Sequence, residues 1–224
     1  NLYFYIIIMY LNKNKKKIIE KDLILLGAGH SNIEVLRYFG KNPLNGIRIT
    51  LINNTYTSTY SGMIPGYIQG TYDWDNINID LVKLCGNYNH RLIISDVYKI
   101  DVKKKFVYLK GRPEINYDYL SINLGIKSDD SKIIGASEHC LKLKPISLIK
   151  DSINKVLNYN KSDKNNNIVI IGAGAAGVEV SLAIRERLRQ FNINSKITLL
   201  SKNSSVLNGF NNNGKIIAKN TLRK

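Results

Sequence analysis

The sequence has only two cysteines among its 224 residues, Cys85 and Cys140. They stand far apart and form no C-x-x-C pair, so the chain has neither the ligand spacing of a metal site nor a redox dithiol beside a glycine-rich turn. Scarce cysteine is typical of a reduced, intracellular compartment, and we expect a cytoplasmic protein. Both thiols are expected to be ordinary packing or surface residues.

The sequence also lacks a hydrophobic run long enough to cross a bilayer, which takes roughly 20 residues. The mostly apolar run at residues 1–11 is too short for that. The lysines of Lys13–Lys17 follow the run, whereas a signal peptide carries its positive charge first. Residue 1 is not Met, and Met9 is a candidate start. We interpret residues 1–20 as a tail of unknown role, with weak attachment to a membrane surface as the alternative.

Acidic residues are few. The chain has 17 Asp and Glu against 33 Lys and Arg, a formal net charge of +16. Such a balance raises the question of nucleic acid or an anionic membrane as partner. The lysines are scattered through an Asn-rich chain, however, and no segment interleaves aromatic with basic residues as nucleic-acid-binding motifs do. We therefore expect no nucleic-acid partner and leave peripheral membrane contact open.

The most informative segment that is present runs from residue 167 to 179. An apolar strand pattern leads into the glycines of a G-x-G-x-x-G motif, Gly172, Gly174 and Gly177. In such a motif the first glycine permits a tight turn, the second lets a pyrophosphate approach the backbone, and the third lets a helix pack closely. The free N–H groups and dipole of that helix favour the phosphates. We expect an apolar helix face consisting of Val180, Ala183, Ile184, Leu188 and Phe191, and then a strand at 196–201. The alternative is a flavodoxin-like glycine turn that binds nothing.

A similar strand–turn–helix pattern occurs near the start of the chain. Residues 22–26 lead into Gly27 and Gly29, and a helix is expected to about Phe39. Asn32 replaces the third glycine and can donate a hydrogen bond from its side chain. His30 can donate towards a phosphate, or it is simply a polar turn residue. The next strand, 47–52, ends at Asn53, where an acid normally binds a ribose; Asn53 offers neutral hydrogen bonds instead.

The segment between the two turns changes character twice. Residues 56–70 are rich in Gly, Tyr and hydroxyl groups, which favours a loop that lies against an aromatic ligand or is simply a surface loop. Residues 91–110 are typical of an antiparallel β meander. An amphipathic helix at 146–158 and a polar linker at 159–167 then precede the second turn. Two glycine turns separated by a meander favour a fold that handles two nucleotides, a flavin and a nicotinamide cofactor.

With these motifs the chain resembles the pyridine nucleotide-disulfide oxidoreductase superfamily. The closest match is the branch similar to type II NADH dehydrogenases, especially the one sometimes joined to selenophosphate synthetase. The resemblance covers roughly residues 22–222, and its motifs are Gly27–Asn32, Tyr60–Gly66, Tyr117–Gly125 and Gly172–Glu179. It implies an α/β fold with two Rossmann-like dinucleotide-binding domains, an inserted antiparallel β meander and an incomplete C-terminal part. The expected domains are an FAD-binding one at 21–160 and an NAD(P)-binding one at 161–224.

The resemblance also implies a set of cofactor contacts. For FAD they are Gly27, Gly29, His30 and Asn32 at the pyrophosphate, Asn53 at the adenosine ribose, Val97 at the adenine, Ser61, Gly62 and Met63 near the isoalloxazine, and Gly125 closing the domain. For NAD(P)H they are Gly172, Gly174, Ala176 and Gly177 at the pyrophosphate, with Glu179 as the candidate catalytic or positioning residue near the nicotinamide.

Two departures from the family pattern qualify what the resemblance implies. The strand after the second turn ends in Ser201-Lys202 without an acid. Lys202 can meet a 2′-phosphate, so NADPH and NADH both stay open. The family's late Gly-Asp segment and C-terminal interface domain are not in this sequence, and we expect an N-terminal fragment or truncated product.

The implied activity is hydride transfer from NAD(P)H to FAD, followed by electron transfer to an acceptor. Because no C-x-x-C lies beside Gly27, we expect a quinone or another small oxidant rather than a protein dithiol. The alternative is a nucleotide-binding or regulatory module without turnover. The oligomeric state stays open.

Overall fold

A computed structural model describes residues 18–127, 129, 131, 133–162 and 166–223. The chain forms two compact units. The first contains the described residues up to Ser58 together with Ile79–Gly125, and the second contains Thr59–Asn78 together with the described residues from Ile126 onward.

The strands are β1 (Lys21–Leu26), β2 (Ile47–Asn53), β3 (Thr57–Thr59), β4 (Asn78–Asp80), β5 (Arg91–Ile94), β6 (Val97–Asp101), β7 (Phe106–Leu109), β8 (Ile115–Asn116), β9 (Tyr119–Ile122), β10 (Asn166–Ile171) and β11 (Ser195–Leu200). The helices are α1 (His30–Lys41), α2 (Ile64–Gln69), α3 (Leu81–Asn87), α4 (Ala136–His139), α5 (Ile149–Ser162), α6 (Ala175–Gln190) and α7 (Asn212–Arg223), with short 3₁₀ turns at Ser61–Met63, Asp75–Ile77 and Ile146–Leu148.

The first unit is built on a four-stranded parallel sheet in the order β5-β2-β1-β9. Its central strand β1 ends in consecutive buried residues, as expected of a strand covered on both faces. On one face Leu25 and Leu51 pack with Leu36 of α1. On the other face Ile24 and Ile52 form a second cluster.

The predicted meander at 91–110 is wrong in its first segment. Residues Arg91–Ile94 pair parallel with β2 and form an edge of the main sheet. Ile93 is buried there with Ile24 and Ile52, so burial against the sheet determines where this segment pairs. The antiparallel meander consists of β6, β7 and β8 and therefore begins at Val97 and ends at Asn116.

The second unit contains a parallel pair, β10 and β11. Ile168, Ile170 and Ile197 pack against the helical core of this unit, whose buried members include Ile68, Ile153, Val180, Ala183, Ile184 and Leu188. Val169, Ile171 and Leu200 on the same strands are about half exposed. The predicted apolar face of α6 is confirmed except for Phe191, which follows the helix end, is exposed, and has the guanidinium of Arg187 over its ring.

Three predicted boundaries differ in the structure. The 56–70 segment is not only loop, because α2 forms within it with Pro65 in its first turn. The linker at 159–167 is shorter, since α5 continues to Ser162 and β10 begins at Asn166; residues 163–165 lie outside the described residues. The part of the predicted first domain that follows Gly125 belongs to the second unit. Its helix α5 buries Ile149 and Ile153 in the second unit's core.

Most of the predicted tail, residues 1–17, lies outside the described residues. In the part of the chain that the structure describes, no helix combines the length and the apolar character needed to cross a bilayer.

Candidate nucleotide-binding sites

The glycine turn between β10 and α6 gives each of its three glycines a different environment. Gly172 adopts φ +108°, a left-handed conformation that side chains disfavour, and its N–H donates to Leu200 O at 2.9 Å. At Gly174, which caps α6, an added Cβ would meet open space. At Gly177 a Cβ would overlap the carbonyl oxygen of Gly172.

These environments match the three glycine roles of a dinucleotide fingerprint: a tight turn, an open approach, and close packing of helix on strand. The first backbone hydrogen bond of α6 runs from Val178 N–H to Gly174 O at 3.1 Å. The N–H groups of Ala175, Ala176 and Gly177 therefore precede the first intrahelical bond, at the positive end of the helix dipole. This arrangement can hold a pyrophosphate.

The turn between β1 and α1 repeats the backbone geometry at Gly172, but it lacks the open space found at Gly174. Gly27 adopts φ +84°, and its N–H donates to Ile52 O at 2.8 Å, just as Gly172 N–H donates to Leu200 O. Gly29 caps α1. Both glycines of the first turn thus occupy the positions predicted for them.

Asn123 shapes the first turn and was not among the predicted site residues. Its N–H donates to Leu26 O at 2.9 Å, and its carbonyl oxygen accepts from Gly29 N–H at 3.2 Å. A Cβ on Gly27 would overlap this carbonyl, and one on Gly29 would overlap the Asn123 side-chain amide. The feature that could have identified Asn123 from the sequence is its position directly after a strand, β9, which pairs with β1.

The structure corrects the expected role of the Asn32 side chain. This residue is fully buried, and its amide nitrogen donates to Leu26 O at 3.2 Å and to Gly27 O at 2.8 Å. Its side-chain oxygen accepts from Ser121 Oγ at 2.7 Å. The side chain therefore stabilises the turn from beneath and does not donate towards a phosphate; only the backbone of Asn32 lies at the helix N-terminus.

Asn53 lies beside the first turn, where the sequence places it, but its side chain also binds within the protein. Its Oδ1 accepts from Ala28 N–H at 3.1 Å. Its Nδ2 donates to the backbone oxygen of Thr55 at 2.9 Å and to Thr55 Oγ1 at 3.0 Å. Oδ1 can accept a second hydrogen bond, and this is the capacity that the Asn53 side chain still offers to a ligand.

The remaining predicted residues are divided between the two units. In the first unit, His30 begins α1 and is exposed, Val97 begins β6, and Gly125 is exposed beyond β9. In the second unit, Ser61 and Gly62 are exposed and Met63 packs on the core, Glu179 is exposed on α6, and Lys202 is exposed after β11. Ser61, Gly62 and Met63, which are expected near the isoalloxazine, thus belong to the second unit.

The ion pairs of Asp22 and Asp118 lie at the amino ends of neighbouring strands in the first unit, whereas the glycine turn follows the carboxyl end of β1. Arg48 Nε and Nη2 donate to the two carboxylate oxygens of Asp22 at 2.6 and 2.9 Å, and these hydrogen bonds raise the pKa of Arg48. Asp118 accepts from the Asp22 backbone N–H at 2.8 Å and from Lys21 Nζ at 3.1 Å. The backbone hydrogen bond is the main reason why the pKa of Asp118 is lowered, and the lysine adds to it. These pairs hold neighbouring strands in register.

The two cysteines are free and differ in environment. Cys85 is a buried residue of α3, and burial raises its thiol pKa to about 11. Cys140 is exposed. Among the described residues, no group of three or more His, Cys, Asp or Glu side chains is arranged to hold a metal ion.

The chain is similar in sequence to two bacterial proteins of known family. It is 27% identical over 193 residues to the NADH dehydrogenase-like protein YutJ of Bacillus subtilis, covering 85% of this chain and 51% of that protein. It is 26% identical over 197 residues to the type II NADH:quinone oxidoreductase of Haemophilus influenzae, covering 72% of this chain and 44% of that protein. The chain thus spans about half the length of these relatives.

The fold is that of the same group of proteins. NDH2 from Plasmodium falciparum, whose structure was determined in complex with NADH, superimposes with a TM-score of 0.77 at 18% identity, covering 91% of this chain and 46% of that one. The family model described as pyridine nucleotide-disulphide oxidoreductase matches residues 21–224. The chain belongs to the pyridine nucleotide-disulphide oxidoreductase family.

Proposed function

We propose that this chain is the nucleotide-binding part of a flavoprotein that oxidises NAD(P)H and passes the electrons to a quinone or another small acceptor. Family membership supports NAD(P)H and FAD as the cofactors. The names of the Haemophilus influenzae relative and of the Bacillus subtilis relative support the dehydrogenase branch and the quinone. The link to selenophosphate synthetase stays a prediction from the sequence.

The observation that carries the proposal is the division of roles among the glycines of the second turn. Gly172 needs its positive φ, Gly177 has no room for a Cβ, and Gly174 faces open space. The turn itself does not require glycine at position 174, because the backbone there is not strained and a side chain would not be crowded. A ligand that approaches the backbone at Gly174 explains why this residue lacks a side chain. We therefore assign the NAD(P)H pyrophosphate to Gly172, Gly174, Ala176 and Gly177.

The first turn has the same backbone hydrogen bond to the neighbouring strand and the same glycine-capped helix start as the second, and these features support an FAD pyrophosphate there. Packing by itself requires glycine at position 29, because a Cβ there would overlap the Asn123 side chain. We propose that Gly27, Gly29, His30 and the backbone of Asn32 hold the pyrophosphate. Asn123, whose amide lies over Gly29, is proposed as an additional contact to it.

Further proposed FAD contacts rest on the family resemblance rather than on geometry at one site. They are Asn53 at the ribose, Val97 at the adenine, Ser61, Gly62 and Met63 near the isoalloxazine, and Gly125 at the edge of the first unit. Bound FAD supplies the hydride acceptor, which no amino-acid side chain offers. Glu179, exposed on the second turn of α6, is proposed to position the nicotinamide.

The cysteines support a small acceptor. Cys85 is buried and Cys140 follows α4, so neither provides the vicinal dithiol that a disulfide reductase uses. We also propose peripheral association with anionic membranes through the excess of basic residues, +16 in the whole sequence. Co-sedimentation with anionic vesicles that is lost at high salt tests this part, and salt-independent binding or none contradicts it.

The experiment that tests the proposal is a visible absorbance spectrum of the purified protein after incubation with FAD and gel filtration. Retained flavin that is bleached under anaerobic conditions by NADH or NADPH, and reoxidised by a soluble quinone, is the expected result. Protein that emerges without flavin contradicts the first site. Flavin that is retained but bleached by neither nucleotide contradicts the second.

A further inference from the structure

The internal repeat identifies which residues of the second unit lie where coenzyme type is selected. In the first unit, Leu26 pairs with Ile52 immediately before the turn. In the second, Ile171 pairs with Leu200 in the same way. The residues that follow these partners, Asn53 and Ser201, are therefore equivalent. In dinucleotide-binding folds an acid at this position bonds the ribose 2′-hydroxyl of NADH, whereas a basic group nearby accommodates the 2′-phosphate of NADPH.

The loop after β11 returns to the glycine turn. Leu207 N–H donates to Ala173 O at 2.8 Å, so the loop begins and ends beside the turn. Within it Asn203 N–H donates to Ser201 Oγ at 3.1 Å. Lys202 is exposed in this loop, and no carboxylate in the described residues forms an ion pair with it.

The charge of the surrounding sequence has one sign. Residues 187–224 contain no Asp or Glu. Their basic residues are Arg187, Arg189, Lys196, Lys202, Lys215, Lys219, Arg223 and Lys224. A phosphate monoester carries a charge of about −1.5 to −2 at pH 7, so the ammonium of Lys202, which is in the loop directly after β11, favours it by Coulomb attraction. This segment offers no carboxylate to accept a hydrogen bond from a 2′-hydroxyl.

We propose that the second turn is selective for NADPH and that Lys202, with the hydroxyl-rich Ser201–Ser205 loop, forms the subsite for its 2′-phosphate. The inference rests on the proposed function, because it presupposes that the second turn binds a nicotinamide dinucleotide. It goes further by naming the donor and the residue that selects it.

The test compares two adenosine nucleotides that differ only in the 2′-phosphate. Binding of 2′,5′-ADP and 5′-AMP to the 224-residue chain is measured by isothermal titration calorimetry at fixed ionic strength. We expect 2′,5′-ADP to bind at least about tenfold more tightly. Lys202→Ala should weaken the binding of 2′,5′-ADP by about tenfold and leave the affinity for 5′-AMP unchanged.

A matched variant separates a specific subsite from general charge. Lys196 is exposed near the opposite end of the same strand, so Lys196→Ala removes the same charge away from the turn. It should change neither affinity. Ser201→Asp should lower the preference for 2′,5′-ADP, because a carboxylate repels the phosphate and accepts from the 2′-hydroxyl of 5′-AMP.

Equal affinities for the two probes would overturn the selectivity while leaving the nucleotide site intact. Equal losses of affinity for 2′,5′-ADP in the Lys202 and Lys196 variants would overturn the assignment to Lys202. They would indicate a general attraction of the phosphate to the positive charge of the protein. Failure of both probes to bind would contradict the nucleotide site of the proposed function, and the selectivity with it.

Discussion

The Oδ1 atom of Asn32 accepts a hydrogen bond from Ser121 Oγ at 2.7 Å and thereby joins the start of α1 to β9 beneath the first glycine turn. Asn32 is fully buried and donates to the carbonyls of both Leu26 and Gly27. The third glycine position of the fingerprint is Gly177 in the second turn and Asn32 in the first. At this position the buried side-chain amide of Asn32 holds strand, turn and helix together.

Asn32 and Ser121 should therefore be coupled in stability. Asn32→Ala removes the donor to Gly27 O and one of the two donors to Leu26 O, which still accepts from Asn123 N–H, and we expect it to lower the free energy of unfolding by about 1–3 kcal/mol. Ser121→Ala should cost less, about 0.5–1.5 kcal/mol. In a double-mutant cycle followed by urea unfolding, the second substitution should add little to the first. Strictly additive losses would show that the two side chains do not interact.

Gly174 and Gly177 provide a matched pair that separates binding from folding. Gly174→Ala places a methyl in open space, so its unfolding free energy should stay within about 0.5 kcal/mol of the wild type. The same methyl obstructs the pyrophosphate and should weaken NAD(P)H binding by about tenfold. Gly177→Ala overlaps the Gly172 carbonyl and should cost about 1–3 kcal/mol of stability. Normal coenzyme affinity in Gly174→Ala would contradict the assigned approach.

The two thiols should react very differently. Burial raises the pKa of Cys85 to about 11, so its thiol stays protonated and inaccessible at neutral pH, whereas Cys140 is exposed. A chromogenic disulfide reagent at pH 8 should titrate one thiol in the native protein and both in denaturant. Cys140→Ser should abolish the native reaction. Rapid native labelling of the Cys140→Ser protein would contradict the burial of Cys85.

Asp118 should contribute stability that depends on pH in one direction. Its pKa in the folded protein is lowered from 3.8, chiefly by the hydrogen bond from Asp22 N–H, so the carboxylate stabilises the fold above its ordinary pKa. That contribution is lost as the pH falls through the lowered value. Asp118→Asn should therefore lower the urea midpoint at pH 7, and the difference from the wild type should shrink at about pH 3.

Lys21→Ala is the control for this titration. It removes the ion pair but leaves the backbone hydrogen bond, which is the larger cause of the lowered pKa. Its pH-dependent loss should be the smaller of the two. A difference between Asp118→Asn and the wild type that is as large at pH 3 as at pH 7 would show that the carboxylate charge is not involved.

Local patterns were sufficient to predict the strand–turn–helix segments. A few neighbouring residues are enough to indicate an apolar strand, a glycine that needs positive φ or a helix with one apolar face. Gly172 and α6 are examples. The same is true of Gly27 and α1. The fold class follows from the repeat of this unit, because a strand followed by a helix packs as a parallel sheet.

What the sequence did not reveal depends on contacts between distant residues. Arg91–Ile94 reads like any short β segment, and only its burial beside Ile52 places it in the parallel sheet. Asn123 acquires its role because β9 pairs with β1 and brings it over Gly29. The sequence predicts Asn32 as a phosphate donor, since its internal hydrogen bond to Ser121 joins residues that are far apart along the chain.

The central claim is that each glycine turn binds its own dinucleotide. It is tested most directly by the anaerobic rate of flavin bleaching in the FAD-loaded protein, measured over a range of excess NADPH concentrations in the wild type and in Gly174→Ala. The account predicts that both proteins retain flavin, that NADPH bleaches the wild type, and that the variant reaches its half-maximal bleaching rate at an about tenfold higher NADPH concentration. Retained flavin that NADPH and NADH leave oxidised, or the same concentration dependence in the two proteins, would contradict it.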